Sequence, residues 1–259
     1  VASLVVALGL VVTAVALWNR VTVEPVSMDA ARERADLDRD SVAPAAPLVP
    51  AEGVYQYRGE GTERLDKPPK TQPQGPDIPG TVTRLEGNCW RFRVDYNTNH
   101  WQSWDYCATD AGLTEEAGAF FQRLELGPVA VDTTSTYTCS PPAVAIQLDQ
   151  AAGDEWRHTC TGISTGSDEE ITSTGPYTFV GEEGIDVDGR TVATLHYHRL
   201  RTLGGPQSGT EDVDLWFDTA TGLPVKNSRV LTVQSGSVLG GVTYTERGTF
   251  TLASSTPTR

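Results

Sequence analysis

Basic residues are scarce in this sequence: 20 Lys and Arg stand against 34 Asp and Glu, a formal net charge of −14. A surface that neutralises phosphates needs the opposite balance, so nucleic acid is not an expected partner. The same deficit argues against a domain lying on anionic lipid headgroups. Methionine occurs once, whereas there are 25 Gly and 16 Pro among abundant Thr, Ser and Val, a composition of strands and turns. Catalytic signatures are missing too. There is no HExxH, no GxSxG and no phosphate-loop lysine, and Ser208 sits in the Gly-rich turn "GPQSGT" without a base near it in sequence. "GEEGIDVDG" lacks the spacing and terminal Glu of a calcium loop and reads as a solvated turn. No cofactor is expected.

Long apolar runs are absent with one exception, "VASLVVALGLVVTAVALW" at residues 1–18. An uncharged run of that length just spans a hydrocarbon core of about 30 Å. It is expected to be a retained single-pass membrane anchor. A cleaved signal peptide, whose apolar core is normally shorter and follows a basic stretch, is the alternative. The first cysteine is Cys89, so lipidation next to this segment is not expected. Residues 19–52 read as a tether, charged in "MDAARERADLDRD" and then stiffened by Pro44, Pro47 and Pro50.

From Gly53 the pattern alternates, and residues 53–254 read as an extracytoplasmic β domain with a disordered tail at 255–259. About ten strands at regular spacing predict an all-β antiparallel barrel or sandwich. "RLDKPPKTQPQGPDIPG" reads as a loop, either a rim feature or disordered. "AGLTEEAGAFFQRLEL" carries helical spacing, yet its all-β surroundings favour a strand.

The four cysteines suit an oxidising compartment. Two of them bracket "CWRFRVDYNTNHWQSWDYC", residues 89–107. Folding this stretch about Thr98 sets Cys89 against Cys107, Trp90 against Tyr106, Arg91 against Asp105 and Phe92 against Trp104. Cystine, aromatic and charge pairs agree on one register, which predicts Cys89–Cys107. Cys139–Cys160 follows by elimination, with two other connectivities open. Trp90, Phe92, Val94, Trp104 and Tyr106 then share an apolar face, which either fills a core or lines a cavity for an apolar ligand. A second hairpin, "VDLWFDTATGLPVK", presents Val213, Leu215 and Phe217 on one side. His196 and His198 share one strand face near Glu211, Asp212 and Asp214, a weak candidate for a zinc site and hence a metal-dependent hydrolase. Arg199 and Arg201 could hold an anionic headgroup at a cavity rim or could be a wet strand face.

"DLWFDTATGLPVK", together with "TLHYHRLRTLGG" before it and "YTERGTFTLAS" after it, resembles the bacterial lipoprotein-carrier superfamily of the LolA, LprG and LppX type. The resemblance spans roughly the last seventy residues. It implies a strongly curved antiparallel sheet, a half-barrel wrapped around an apolar cavity for lipid or acyl chains. The lid helices and the lipid-anchoring cysteine of that superfamily have no counterpart in this sequence. The expected protein is non-catalytic, anchored in the cell membrane and held outside the cytoplasm. It binds an apolar or lipid-like ligand through the eight hairpin residues, and an envelope protein is a further candidate partner. An interaction or sensor module with a filled core is the alternative.

Overall fold

Alternation of inward and outward side chains marks many of the strands in the computed structural model, which describes residues 23–37, 45–126, 129–165, 169–237 and 240–258. The apolar run at 1–18 lies outside these residues. No helix among the described residues is long and apolar enough to cross a membrane.

Thirteen antiparallel strands form one sheet: β1 (Gly53–Asp66), β2 (Pro69–Gln74), β3 (Asp77–Arg84), β4 (Cys89–Asn97), β5 (His100–Thr109), β6 (Gly112–Leu126), β7 (Val129–Gln147), β8 (Glu155–Ser164), β9 (Ile171–Val187), β10 (Arg190–Gly204), β11 (Gln207–Asp218), β12 (Pro224–Ser237) and β13 (Gly240–Leu252). From β3 to β13 consecutive strands pair with one another. The half-barrel expectation is corrected at the ends of the sheet. Strand β1 pairs with β13, Tyr57 opposite Leu252 through Leu65 opposite Tyr244, and the sheet closes on itself. Strands β2 and β3 lie end to end on the other edge of β1, so thirteen strands make a closed barrel of 12 staves. Closure satisfies both edges that an open sheet would leave bare.

The stretch read as a loop at 64–80 supplies β2 and the start of β3. The ambiguous segment at 111–126 is strand, as its surroundings suggested, and forms β6. The 89–107 hairpin adopts the expected register from Cys89–Cys107 through Phe92–Trp104, and both expected cystines, Cys89–Cys107 and Cys139–Cys160, are present. Arg91 donates to Asp105 through Nε at 2.6 Å and Nη2 at 2.7 Å, but its side chain is 48% exposed. Arg91→Ala is therefore expected to cost under about 1 kcal/mol in urea unfolding, because solvent screens an exposed pair.

Two pieces of the expected tether pack on the barrel. Helix α1 (Met28–Arg34), capped by Ser27, lays Ala31 with Val26 against Val54 and pairs Arg34 with buried Asp95 at 2.6 Å. Leu48 and Val49, the apolar pair between two prolines, enter the main core, where the Leu48 carbonyl accepts from Trp90 Nε1 at 3.1 Å. The tail at 255–258 is likewise ordered by a bridge between Thr258 and Val54.

Outward positions of the wall carry Arg58, Glu60, Thr62, Arg64, Thr210 and Asp212, all exposed. Exposed Leu200 and Val230 share this wall with them.

Candidate ligand-binding site

The barrel interior has three layers. At one end a continuous aromatic and aliphatic core fills it, built on Trp90, Tyr57, Phe92, Tyr177, Tyr197 and Phe217, with Leu48 and Val49 as a plug. Tyr57 donates to the Pro224 carbonyl at 2.6 Å and Tyr177 to the Ala145 carbonyl at 2.8 Å, so the buried hydroxyls are satisfied.

A belt of ionised side chains crosses the middle. Inward positions of β1, β6, β10, β11, β12 and β13 carry Glu63, Glu115, Arg199 and Arg201, Glu211, Arg229 and Glu246, every one buried. Arg199 bridges Glu115 at 3.3 Å and Glu211 at 3.2 Å. Arg201 reaches Glu115 Oε1 at 3.2 Å. Arg229 bridges Glu211 at 3.1 Å and Glu246 at 3.4 Å. At the closure seam Glu63 stands directly opposite Glu246. Two facing carboxylates repel, and the belt relieves them with donors. Gln74 Nε2 donates to both at 3.1 Å, Gln122 donates to Glu63 at 2.6 Å, and His100 Nδ1 lies 2.7 Å from Glu63.

Burial and pairing compete at each charge. Burial alone would raise the Glu211 carboxyl, but Arg199, Arg229 and Arg201 hold it down at about 2. Burial works the same way on Glu115 and Glu63, and Arg201 with Arg199 for the first and His100 for the second still bring them below the usual carboxylate range. His100 is pushed down by burial and more strongly up by Glu63 and Glu246, so its pKa is raised. His158, buried beside the belt and stacked on Tyr177 at 4.8 Å, goes the other way. Burial first, then the Arg201 charge, lower it to about 4.

Above the belt the barrel is open. A cavity of about 480 Å³ rises from a floor that includes Glu115, Arg201, Glu211, Arg229 and Trp104. Its walls are Leu65, Leu124, Leu203, Leu231, Val233 and Val242, which form a ring with Tyr244. It reaches solvent at the strand ends, where Lys67, Val131 and Ser235 line it and are exposed. The volume falls within the range of about 300–1,000 Å³ of small-molecule sites.

The eight residues expected to line an apolar cavity (Trp90, Phe92, Val94, Trp104, Tyr106, Val213, Leu215 and Phe217) are brought together, but in the filled core. Trp104 alone among them also lines the cavity. They face inward as their alternation implied, at the level that the plug and the opposite wall already fill. Arg199 and Arg201 are neither a rim nor a wet face, being 3% and 6% exposed in the belt. The aliphatic wall residues were missed, as were Glu115 and Arg229 of the floor. Leu203, Val233 and Val242 belong to strands whose inward face was legible, but their height in the barrel was not.

His196 and His198 lie on the outer wall. His196 Nε2 is 2.9 Å from Asp214 and its ring stacks on Trp216 at 4.2 Å, while His198 Nδ1 is 3.4 Å from the same carboxylate. Among the described residues the grouping with metal-ligand spacing is Glu115 with Cys139 and Cys160, whose sulfurs are bonded to each other. It does not include either histidine.

No protein-family model matches the chain, and no curated protein is similar to it. Among solved structures the chain is similar to the hypothetical lipoprotein YmcC from Escherichia coli (K12), with 15% identity over 89% of this chain and 100% of that one, at a TM-score of 0.33. A likeness that distant carries no argument about what this chain does.

Proposed function

We propose that this chain is a non-catalytic binding protein, anchored in the cell membrane by residues 1–18 and held outside the cytoplasm, whose barrel takes an apolar or lipid-like ligand into its open half. The observation that carries the reading is the cup of about 480 Å³, walled by aliphatic side chains and open to solvent at one end of the barrel. Leucine and valine walls open to water favour any ligand that removes them from it, by about 25 cal/mol per Å² buried. The carboxylates at the floor are each locked into contact with a cation, which suits a fixed binding surface better than proton transfer. Two cystines support an oxidising compartment.

Residues 23–259 contain the buried apolar core of the described residues, which runs from Val26 to Leu252. Purified without detergent and examined by native mass spectrometry after exposure to a total lipid extract, this fragment is expected to carry a lipid-sized adduct. Leu203→Glu is expected to lower its occupancy by about tenfold or more while thermal unfolding of the barrel stays cooperative. An apo mass after that exposure would overturn the reading and favour an envelope interaction module.

A further inference from the structure

The belt that floors the cup is not evenly matched. Glu115 accepts from two guanidinium groups, Arg199 and Arg201. Glu211 also faces two, Arg199 and Arg229. Arg199 spends itself on both of those carboxylates, and Arg229 on Glu211, Glu246 and Gln102. Arg201 makes one ionic contact among the described residues, to Glu115, and its buried Nε has no acceptor. Guanidinium carries five N–H donors in a fixed fork, so most of the Arg201 capacity is unspent. This residue is 6% exposed and lines the cavity. The hydroxyl-bearing residues Ser135, Ser173 and Tyr137 line the same cavity.

Taking the cup to hold a lipid-like ligand, as proposed above, we infer that the ligand is a single-chain carboxylic acid bound head-down, its carboxylate on Arg201 and its alkyl chain against the aliphatic ring toward the mouth. The opposite orientation would press methylenes on a buried ionic floor and leave donors unpaired, which is costly. A cationic headgroup would find carboxylates that are already shared between cations. An oxyanion instead completes Arg201, the belt guanidinium with the fewest ion pairs among the described residues, with the planar two-oxygen geometry that guanidinium favours.

The test uses three probes with one tail: dodecanoate, dodecanol and dodecyltrimethylammonium, titrated at pH 8 into residues 23–259 below their aggregation limits and followed by calorimetry. Dodecanoate is expected to bind about tenfold or more tighter than dodecanol, with dodecyltrimethylammonium weaker than both. Arg201→Gln is expected to lower dodecanoate affinity by more than it lowers dodecanol affinity and so erase the carboxylate preference, and Arg201→Lys to restore part of it. If Arg201→Gln fails to fold, carboxyl-labelled dodecanoate on the unaltered protein decides. Its bound ¹³C signal should titrate below the free acid. Equal affinity for the three heads, or a preference for the cation, overturns the head-down carboxylate while leaving a lipid cup in place. No binding of any of the three overturns the cup reading itself.

Discussion

Arg199→Met is expected to destabilise the barrel by about 3–5 kcal/mol, read as a lower urea midpoint at an unchanged m-value. Arg199 is 3% exposed and joins Glu115 to Glu211, carboxylates on two different strands. Burial alone would lower its pKa, but Glu211 and Glu115 raise it above its usual value, so the charge is firmly held. Removing it leaves two buried carboxylates with Arg201 and Arg229 as their remaining cations. Each carboxylate keeps one cation, but the belt is left one positive charge short, and that shortfall costs far more than the pair was worth because buried desolvation is no longer offset. The double variant Arg199→Met with Glu211→Met should therefore be more stable than the sum of the two single changes. Near-additive losses, or a single-variant loss under about 1 kcal/mol, would mean that water entering from the cup solvates the belt.

How much of this barrel was legible in the sequence depends on what each strand carries inward. The 89–107 hairpin was legible because Cys89–Cys107, Trp90–Tyr106 and Arg91–Asp105 report the same register independently. Strand β2 was not. Its inward residues are Lys70, Gln72 and Gln74, its sequence includes prolines, and no apolar alternation marks it. In "TLHYHRLRTLGG" the face shared by Leu195, Tyr197, Arg199, Arg201 and Leu203 holds the clue to the belt. Two arginines flanked by apolar residues of the same phase point into an interior, and their partners lie on other strands, Glu115 being 84 residues before Arg199. Closure was hidden for the same reason. The pairing of β1 with β13 joins residues nearly two hundred positions apart, and on its inward face the polar Glu63 and Glu246 meet instead of an apolar pair. Height along the barrel axis has no local signature at all, so the inward aromatic face was found and its place in the filled half was not.

The two buried histidines make opposite contributions to the pH dependence of stability, and the larger expected effect is at His158. Its folded pKa of about 4 lies below the ordinary value of 6.5. Burial is the main cause and the charge on Arg201 the next, with Arg199 adding to it and Glu115 opposing. Both ring nitrogens are buried without a hydrogen-bond partner. The unfolded chain therefore takes up this proton first as pH falls, and stability present above about pH 6.5 is lost progressively down to about 4. The shift from 6.5 to about 4 corresponds to about 3 kcal/mol. His100 has the opposite sign, since Glu63 and Glu246 raise its pKa against burial. Its contribution is complete below the unfolded value and fades as pH rises through the folded one. Urea unfolding from pH 4.5 to 9 separates the two. His158→Phe should flatten the acid limb between 6.5 and 4.5 relative to the unaltered protein, above the range in which Glu211, held at about 2, begins to matter. His100→Gln should flatten the alkaline limb. The comparison cancels the exposed histidines of the outer wall, which are common to all three proteins. An acid limb unchanged in His158→Phe would mean that burial and Arg201 do not hold this ring below its ordinary value.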